Sequence, residues 1–294
     1  MPHILKNDEL SVHIDLPGEN YNSTRFDQTG KITDVLYRGI RVSGVERTDA
    51  ENENSFGKGF YNEFGIDAAL GFDEAEVGGR FHKIGVGLLR KDDDQYQFNK
   101  RYELQPAKFE VITESNRVLI TCKSQSTSGY AYMLEKEIVL HDSAFTLKYR
   151  LHNTGEKDIV TDEYVHNFTA INDELMGPDY QLIFPFQLNP DQFTASVNPE
   201  QVISIDKHQV NFTGSPGEQF FFSHLNGKHT SVAKWELWQL KSKIGLSETG
   251  SFQTNKINLW GWKHVISPEL FFYIHVKPGQ STEWSRTYDV FRLD

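Results

Sequence analysis

Three short stretches of this chain combine residue types that could do chemistry. The first is Thr161-Asp162-Glu163-Tyr164-Val165-His166-Asn167-Phe168. Histidine titrates near neutrality and can give or take a proton, so His166 is a candidate acid–base group. The stretch is polar on both faces of an extended chain, and burying Asp162, Glu163 and His166 together is costly without a purpose. The plain alternative is a histidine hydrogen-bonded inside a core. The second stretch pairs Phe60-Tyr61-Asn62-Glu63-Phe64-Gly65 with Gly78-Gly79-Arg80-Phe81-His82-Lys83-Ile84-Gly85. Glu63, Arg80, His82 and Lys83 on glycine-jointed backbone, with rings between, suit a polyhydroxylated ligand: planar faces for its C–H groups and charges for its hydroxyls. A salt-bridged loop would contain the same residues. The third is Asn258-Leu259-Trp260-Gly261-Trp262-Lys263-His264, followed by Ser267-Pro268-Glu269. Trp260 and Trp262 could stack on a sugar or fill a core. His275 shares a strand face with Phe271 and Tyr273, which predicts a core histidine.

Other chemistries lack their signatures. No G-x-S-x-G elbow, Walker A loop or H-E-x-x-H pair occurs, and Gly85-Val86-Gly87 lacks the third glycine of a dinucleotide site. Asp92-Asp93-Asp94 lacks the alternate spacing of a calcium loop. No metal and no cofactor are expected. Arg80, Lys83 and Lys263 could together hold a phosphate.

The elements that must position these residues read as strands. Phe109, Val111 and Thr113 alternate with polar neighbours, Glu114-Ser115-Asn116 turns the chain, and Val118, Ile120 and Cys122 resume the alternation, predicting a hairpin. Phe145, Leu147, Tyr149 and Leu151 alternate next. Further strands are predicted over 159–167, 180–185, 219–224, 231–240, 270–276 and 283–291, separated by clusters such as Gly214-Ser215-Pro216-Gly217 and Lys277-Pro278-Gly279. Many short strands without a βα rhythm describe an all-β antiparallel architecture. Residues 50–92 break the regularity and read as long ordered loops crossing a sheet face.

Composition narrows the partners. The 294 residues carry 30 Lys+Arg against 41 Asp+Glu, a formal charge of −11, which argues against nucleic acid and against an anionic membrane surface. The length is compatible with two domains, but no linker or composition break is seen, so a single domain over 1–294 is expected. The single cysteine, Cys122, excludes an internal disulfide. No apolar stretch is long enough for a membrane span, and residues 1–16 lack an uncharged apolar run, so a cytoplasmic protein without a signal peptide is expected.

In order along the chain, these segments resemble the aldose 1-epimerase (galactose mutarotase-like) superfamily. The resemblance rests on Leu119-Ile120-Thr121-Cys122-Lys123-Ser124 followed by Gly129-Tyr130-Ala131-Tyr132, on Phe145-Thr146-Leu147-Lys148-Tyr149-Arg150-Leu151-His152-Asn153-Thr154, on Glu163-Tyr164-Val165-His166-Asn167-Phe168, and on a closing strand, Pro278-Gly279-Gln280 turn and strand ending Tyr288-Asp289-Val290-Phe291. It implies a large antiparallel β-sandwich, the supersandwich, with a sugar groove on one concave face. It implies interconversion of α and β anomers of a free aldose or sugar phosphate by acid–base ring opening, with His166 as general acid. A non-catalytic carbohydrate binder on the same fold is the alternative. The resemblance places a glutamate base shortly before the closing Pro-Gly turn, where Asn258-Leu259-Trp260-Gly261-Trp262-Lys263 holds no carboxylate. Glu269 is the nearest acid, though Ser267-Pro268-Glu269 reads as the start of the last hairpin, facing away from the groove. Glu248, Glu63 and His275 are the other suppliers. By analogy with paired carboxylates in glycoside hydrolysis, the base is expected within about 8 Å of His166 across a pocket.

Overall fold

The computed structural model describes residues 2–294. Its largest sheet has ten antiparallel strands, running Ile203–Ile205, Gln209–Phe212, Tyr180–Ile183, Ser231–Gln239, Ile244–Thr254, Ser281–Arg292, Ala144–Asn153, Tyr132–His141, Arg117–Lys123 and Lys108–Thr113 in space. A seven-stranded sheet packs against it, in the order His3–Lys6, Leu10–Asp15, Lys31–Tyr37, Phe60–Phe64, Ile159–Asn167 and Phe272–Val276, with Ile40–Arg41 on the side of the third strand. The two sheets bury a shared apolar layer that includes Ile14, Ile32 and Val165 from one and Ile120, Ile138 and Leu147 from the other. Rings bridge the layers: Phe60 meets Phe145 at 5.5 Å and Tyr288 at 4.8 Å. Offset and edge contacts of this kind add about 0.5–1.5 kcal/mol each beyond area burial.

Period-2 patterning explains the outer strands. Arg117–Lys123 buries Val118, Ile120 and Cys122 and turns their neighbours outward, and it pairs with Lys108–Thr113 as the predicted hairpin. The same alternation runs through Ala144–Asn153 and Ser231–Gln239. It fails where a strand is covered on both faces. Phe60–Phe64 and Val265–Leu270 are buried at every residue, so neither shows a period. The expectation of loops over 50–92 is corrected accordingly. Phe60–Phe64 is an inner strand of the seven-stranded sheet, and Arg80–Lys83 and Gly87–Arg90 form a small sheet with Leu104–Pro106. The expected strand 270–276 is two: Leu270 ends Val265–Leu270, and Phe272–Val276 starts beyond Phe271 in a different sheet.

The fourth sheet carries the third sequence stretch. Its order is Ala195–Val197, Phe220–Ser223, Ile257–Trp262 and Val265–Leu270. It joins the seven-stranded sheet through a bridge from Thr169 to Ile266, just beyond the end of Ile159–Asn167. Among the described residues no helix is long and apolar enough to cross a membrane.

Candidate active site

Alternation along Ile159–Asn167 sends its polar residues to two destinations. Glu163 and Asn167 point into the sandwich, where Glu163 meets Arg286 at 2.7 Å and Asn167 meets Glu248 at 2.8 Å. Tyr164 and His166 point the other way, into a cleft of about 580 Å3. A site of that volume suits a small molecule. The strand that reads as polar on both faces therefore serves a buried ion network on one side and an open cleft on the other.

His166 Nε2 lies 3.4 Å from Glu269 Oε1, and both side chains are about 95% buried. Glu269 sits within Val265–Leu270, and its cross-strand neighbour is Asn258 of Ile257–Trp262. The expectation that Glu269 starts a hairpin away from the groove is thus corrected. So is the expected separation across a pocket, because the carboxyl and the imidazole are in direct contact. Aromatic rings wall the imidazole: Phe168 stacks on it at 4.0 Å, and Trp260 stands edge-on at 5.2 Å. Burial, reinforced by the nearby Arg25 charge, pushes the His166 pKa well below its ordinary value. Burial pushes the Glu269 carboxyl up to about 8, against the pull of Arg25. At neutral pH the pair therefore holds one proton, on Glu269, beside a neutral imidazole.

Arg25, which the sequence reading passed over, lines the cleft between the rings of Phe26 and Phe98, at 4.4 and 4.6 Å. Its Nε donates to Glu63 Oε2 at 2.8 Å and its Nη2 to the Tyr164 hydroxyl at 3.1 Å. Glu63 is fully buried and does not line the cleft. Burial alone would raise its pKa, but Lys83 at 3.0 Å and Arg25 overcome that and hold its carboxyl below the usual range. Glu63 and Lys83 thus form a support beneath Arg25 and Tyr164. Asn258, Lys256, Arg47 and Gln219 add to the polar lining together with Glu46, Asp67 and Asn99, and Trp260 gives its ring. Each lining cation already has a carboxylate: Arg47 pairs with Asp49 at 2.9 Å and Lys256 with Asp67 at 2.7 Å.

The remaining candidates lie elsewhere. Arg80 is on the three-stranded sheet, paired with Glu103 at 2.7 Å, and does not reach the cleft. His82 is buried against the Tyr130 carbonyl at 3.1 Å, and burial lowers its pKa to about 4. Trp262 donates its indole N–H to the Gly217 carbonyl at 2.6 Å, and Arg47 packs over its ring at 5.5 Å. The three cations considered for a phosphate are dispersed, with Lys83 on Glu63, Arg80 on Glu103 and Lys263 against Trp262. Glu248 is fully buried on Arg286, Trp235 and Asn167. His275 is not a core histidine: it is exposed on an edge strand, 2.8 Å from Asp158. Among the described residues no cluster of His, Cys, Asp and Glu could hold a metal ion.

No protein-family model matches the sequence, and no curated protein matches it either. Solved structures do resemble it. A putative aldose 1-epimerase from Escherichia coli K12 aligns over 100% of this chain and 99% of its own, at 11% identity and a TM-score of 0.63. A galactose mutarotase-like protein from Lactobacillus casei aligns over 99% and 100%, at 12% identity and a TM-score of 0.63. A galactose mutarotase related enzyme from Lactobacillus acidophilus aligns over 100% and 99%, at 11% identity and a TM-score of 0.60. The chain is an antiparallel β-sandwich with the fold of the galactose mutarotase-like and aldose 1-epimerase proteins.

Proposed function

We propose that the cleft binds the reducing end of a neutral aldose and interconverts its α and β anomers. The observation that carries this reading is the buried His166–Glu269 pair, with His166 Nε2 3.4 Å from Glu269 Oε1 beside aromatic walls. Anomer exchange must remove a proton from the anomeric hydroxyl and add one to the ring oxygen. Both oxygens are bonded to the same carbon, so the two proton-transfer groups need to lie side by side. Two groups in contact fit that requirement better than two groups across a pocket, which suit an intervening water. Burial puts the resting proton on Glu269 and leaves His166 as the base. His166 Nε2 then takes the hydroxyl proton, Glu269 protonates the ring oxygen, and the C1–O5 bond opens. Rotation about C1–C2 and the reverse transfers close the ring on the other face. Each half-reaction moves one proton on and one off, so none is gained or lost. This assigns His166 the opening role of base, where the resemblance implies acid.

A neutral ligand follows from the pairing of Arg25, Arg47 and Lys256, none of which faces the cleft without a carboxylate partner. Trp260 and Phe98 offer ring faces, while Asn258 and Gln219 offer amides to hydroxyls. Polarimetry or NMR on freshly dissolved α-D-glucose and α-D-galactose tests the reading. The protein should accelerate mutarotation, with a rate that declines above about pH 8 as the pair loses its proton. Rates equal to buffer, or rates untouched by His166→Ala, would rule the reading out.

A further inference from the structure

The ten-stranded sheet ends on Lys108–Thr113, a six-residue strand paired only with Arg117–Lys123. The strand at the opposite end, Ile203–Ile205, is half as long. An open edge presents unpaired N–H and C=O groups, and proteins commonly blunt it with a proline, a bulge, an inward charge or a covering segment. Lys108–Thr113 has none of these. It contains no proline, and its register with Arg117–Lys123 runs without a shift. Among the described residues its backbone bonds to nothing outside that hairpin. Its inner row, Phe109, Val111 and Thr113, opposes the buried Cys122, Ile120 and Val118 and carries no charge. Val111 is nevertheless 39% exposed and Ile112, in the outer row, 55%.

A strand added to this edge must respect the alternation of faces. When it is a second copy running antiparallel, inner-row residues must meet inner-row residues, or each apolar row would face the other copy's solvent row. Only registers whose two-fold axis passes through a residue meet this condition. An axis at Phe109 needs Gln105 and Pro106, which already pair with Gly87–Arg90, and Pro106 has no N–H to offer. An axis at Glu110 sets Glu110 against itself, and one at Ile112 sets Glu110 against Glu114, both like-charge pairs. An axis at Lys108 runs the pairing back into the three-stranded sheet, and one at Thr113 runs it into the Glu114-Ser115-Asn116 turn. The axis at Val111 is free of conflict. Val111 then meets Val111, Phe109 meets Thr113, and Lys108 meets Glu114 at both ends. Lys108 has no carboxylate partner within the chain. Arg117 holds Glu114 through Oε1 at 2.6 Å, which leaves Oε2 open. Glu110, already held by Lys123 at 2.7 Å, faces Ile112 without an unpaired charge.

We propose that two copies of this chain associate through Lys108–Thr113, antiparallel about a two-fold axis at Val111, joining their ten-stranded sheets into one continuous sheet. The contact is isologous, so it closes at two copies. One strand pair buries less than the about 1,200 Å2 of a standard interface, so the dimer is weak and reversible. No residue of the strand lines the cleft, and the association is independent of the sugar reading. Sedimentation equilibrium from low to high micromolar concentration tests it, on the native protein, Lys108→Glu, Glu114→Lys, the double variant and Val111→Lys. All three positions are exposed, so the variants should fold, and urea unfolding verifies that they do. The native protein should dimerise in the micromolar range. Each single reversal sets like charges together at two symmetric places and should raise the dissociation constant about tenfold, while the double variant returns it to within about threefold. Val111→Lys opposes two ammonium groups across the axis and should leave only monomer. Amide exchange over residues 108–113 should slow with concentration in the native protein and stay constant in Val111→Lys. A native protein that remains monomeric throughout would overturn the proposal. So would a dimer that the single reversals leave unchanged or the double variant does not restore, since either result puts the contact on another surface.

Discussion

Two clusters of buried ionisable groups share the strand Ile159–Asn167 and are built on opposite rules. Inside the sandwich, Arg286 donates to Glu163 at 2.7 Å and to Glu248 at 2.6 Å, and also to the Leu270 carbonyl at 2.8 Å. Asn62 and Trp284 donate to Glu163, while Trp235 and Asn167 donate to Glu248. Each of the four carboxylate oxygens accepts at least one hydrogen bond. On the other face, His166 and Glu269 have little beyond each other: Ser267 lies 3.4 Å from Glu269, and His166 Nδ1 has no partner. Full satisfaction locks the first cluster into one hydrogen-bonded arrangement. Partial satisfaction leaves the second able to exchange its proton, which is what an acid–base site needs.

Breaking the satisfied cluster should have the largest effect. Arg286→Met leaves two carboxylates buried without their cation, and stability in urea should fall by about 3–5 kcal/mol. A loss below about 1 kcal/mol would erase the distinction between the clusters. Glu269→Gln should do the opposite. Mutarotation should drop about a hundredfold or more, while unfolding free energy at about pH 4, where the carboxyl is neutral in both the folded and the unfolded chain, stays within about 1 kcal/mol.

The same variant sharpens the contrast by pH. The Glu269 pKa is about 8 when folded, above its ordinary value, so its favourable contribution is complete below the unfolded pKa. That contribution disappears as pH rises toward 8. The native protein should therefore lose stability relative to Glu269→Gln between about pH 5 and pH 9. His166 works in the other direction, its lowered pKa costing stability only as pH falls. A constant difference across that range, in parallel urea titrations, would show that Glu269 ionises freely. Arg80→Ala gives the smallest effect: its pair with Glu103 is exposed, so about 0–1 kcal/mol of stability and no change in mutarotation are expected.

The sequence was most legible where one face of a strand meets solvent. The hairpin around Glu114-Ser115-Asn116 and the strand containing Phe145, Leu147, Tyr149 and Leu151 follow directly from alternation. It was least legible where both faces are covered, and Glu269 lies in such a strand, so its orientation could not be read from pattern. His166 was marked by the cost of burying its polar neighbours, a signal that reflects Glu163 and Asn167 as much as His166 itself. Arg80, His82 and Lys83 were grouped because they are close in sequence, yet a strand separates successive side chains onto opposite faces. Arg25 left no trace, since it sits outside any strand in Ser23-Thr24-Arg25-Phe26 and gains its role from Phe98, Glu63 and Tyr164.

Cys122 carries a consequence of a different kind. It is the only thiol of the chain, has no accessible surface, and belongs to Arg117–Lys123 near the edge of the ten-stranded sheet. Burial raises its pKa, so in the native state it is both shielded and protonated, and thiolate reagents cannot reach it. Labelling must wait until the strands beside it separate. The molecule thus contains its own reporter of sheet opening, whose reaction rate under native conditions measures how often that edge of the sandwich comes apart.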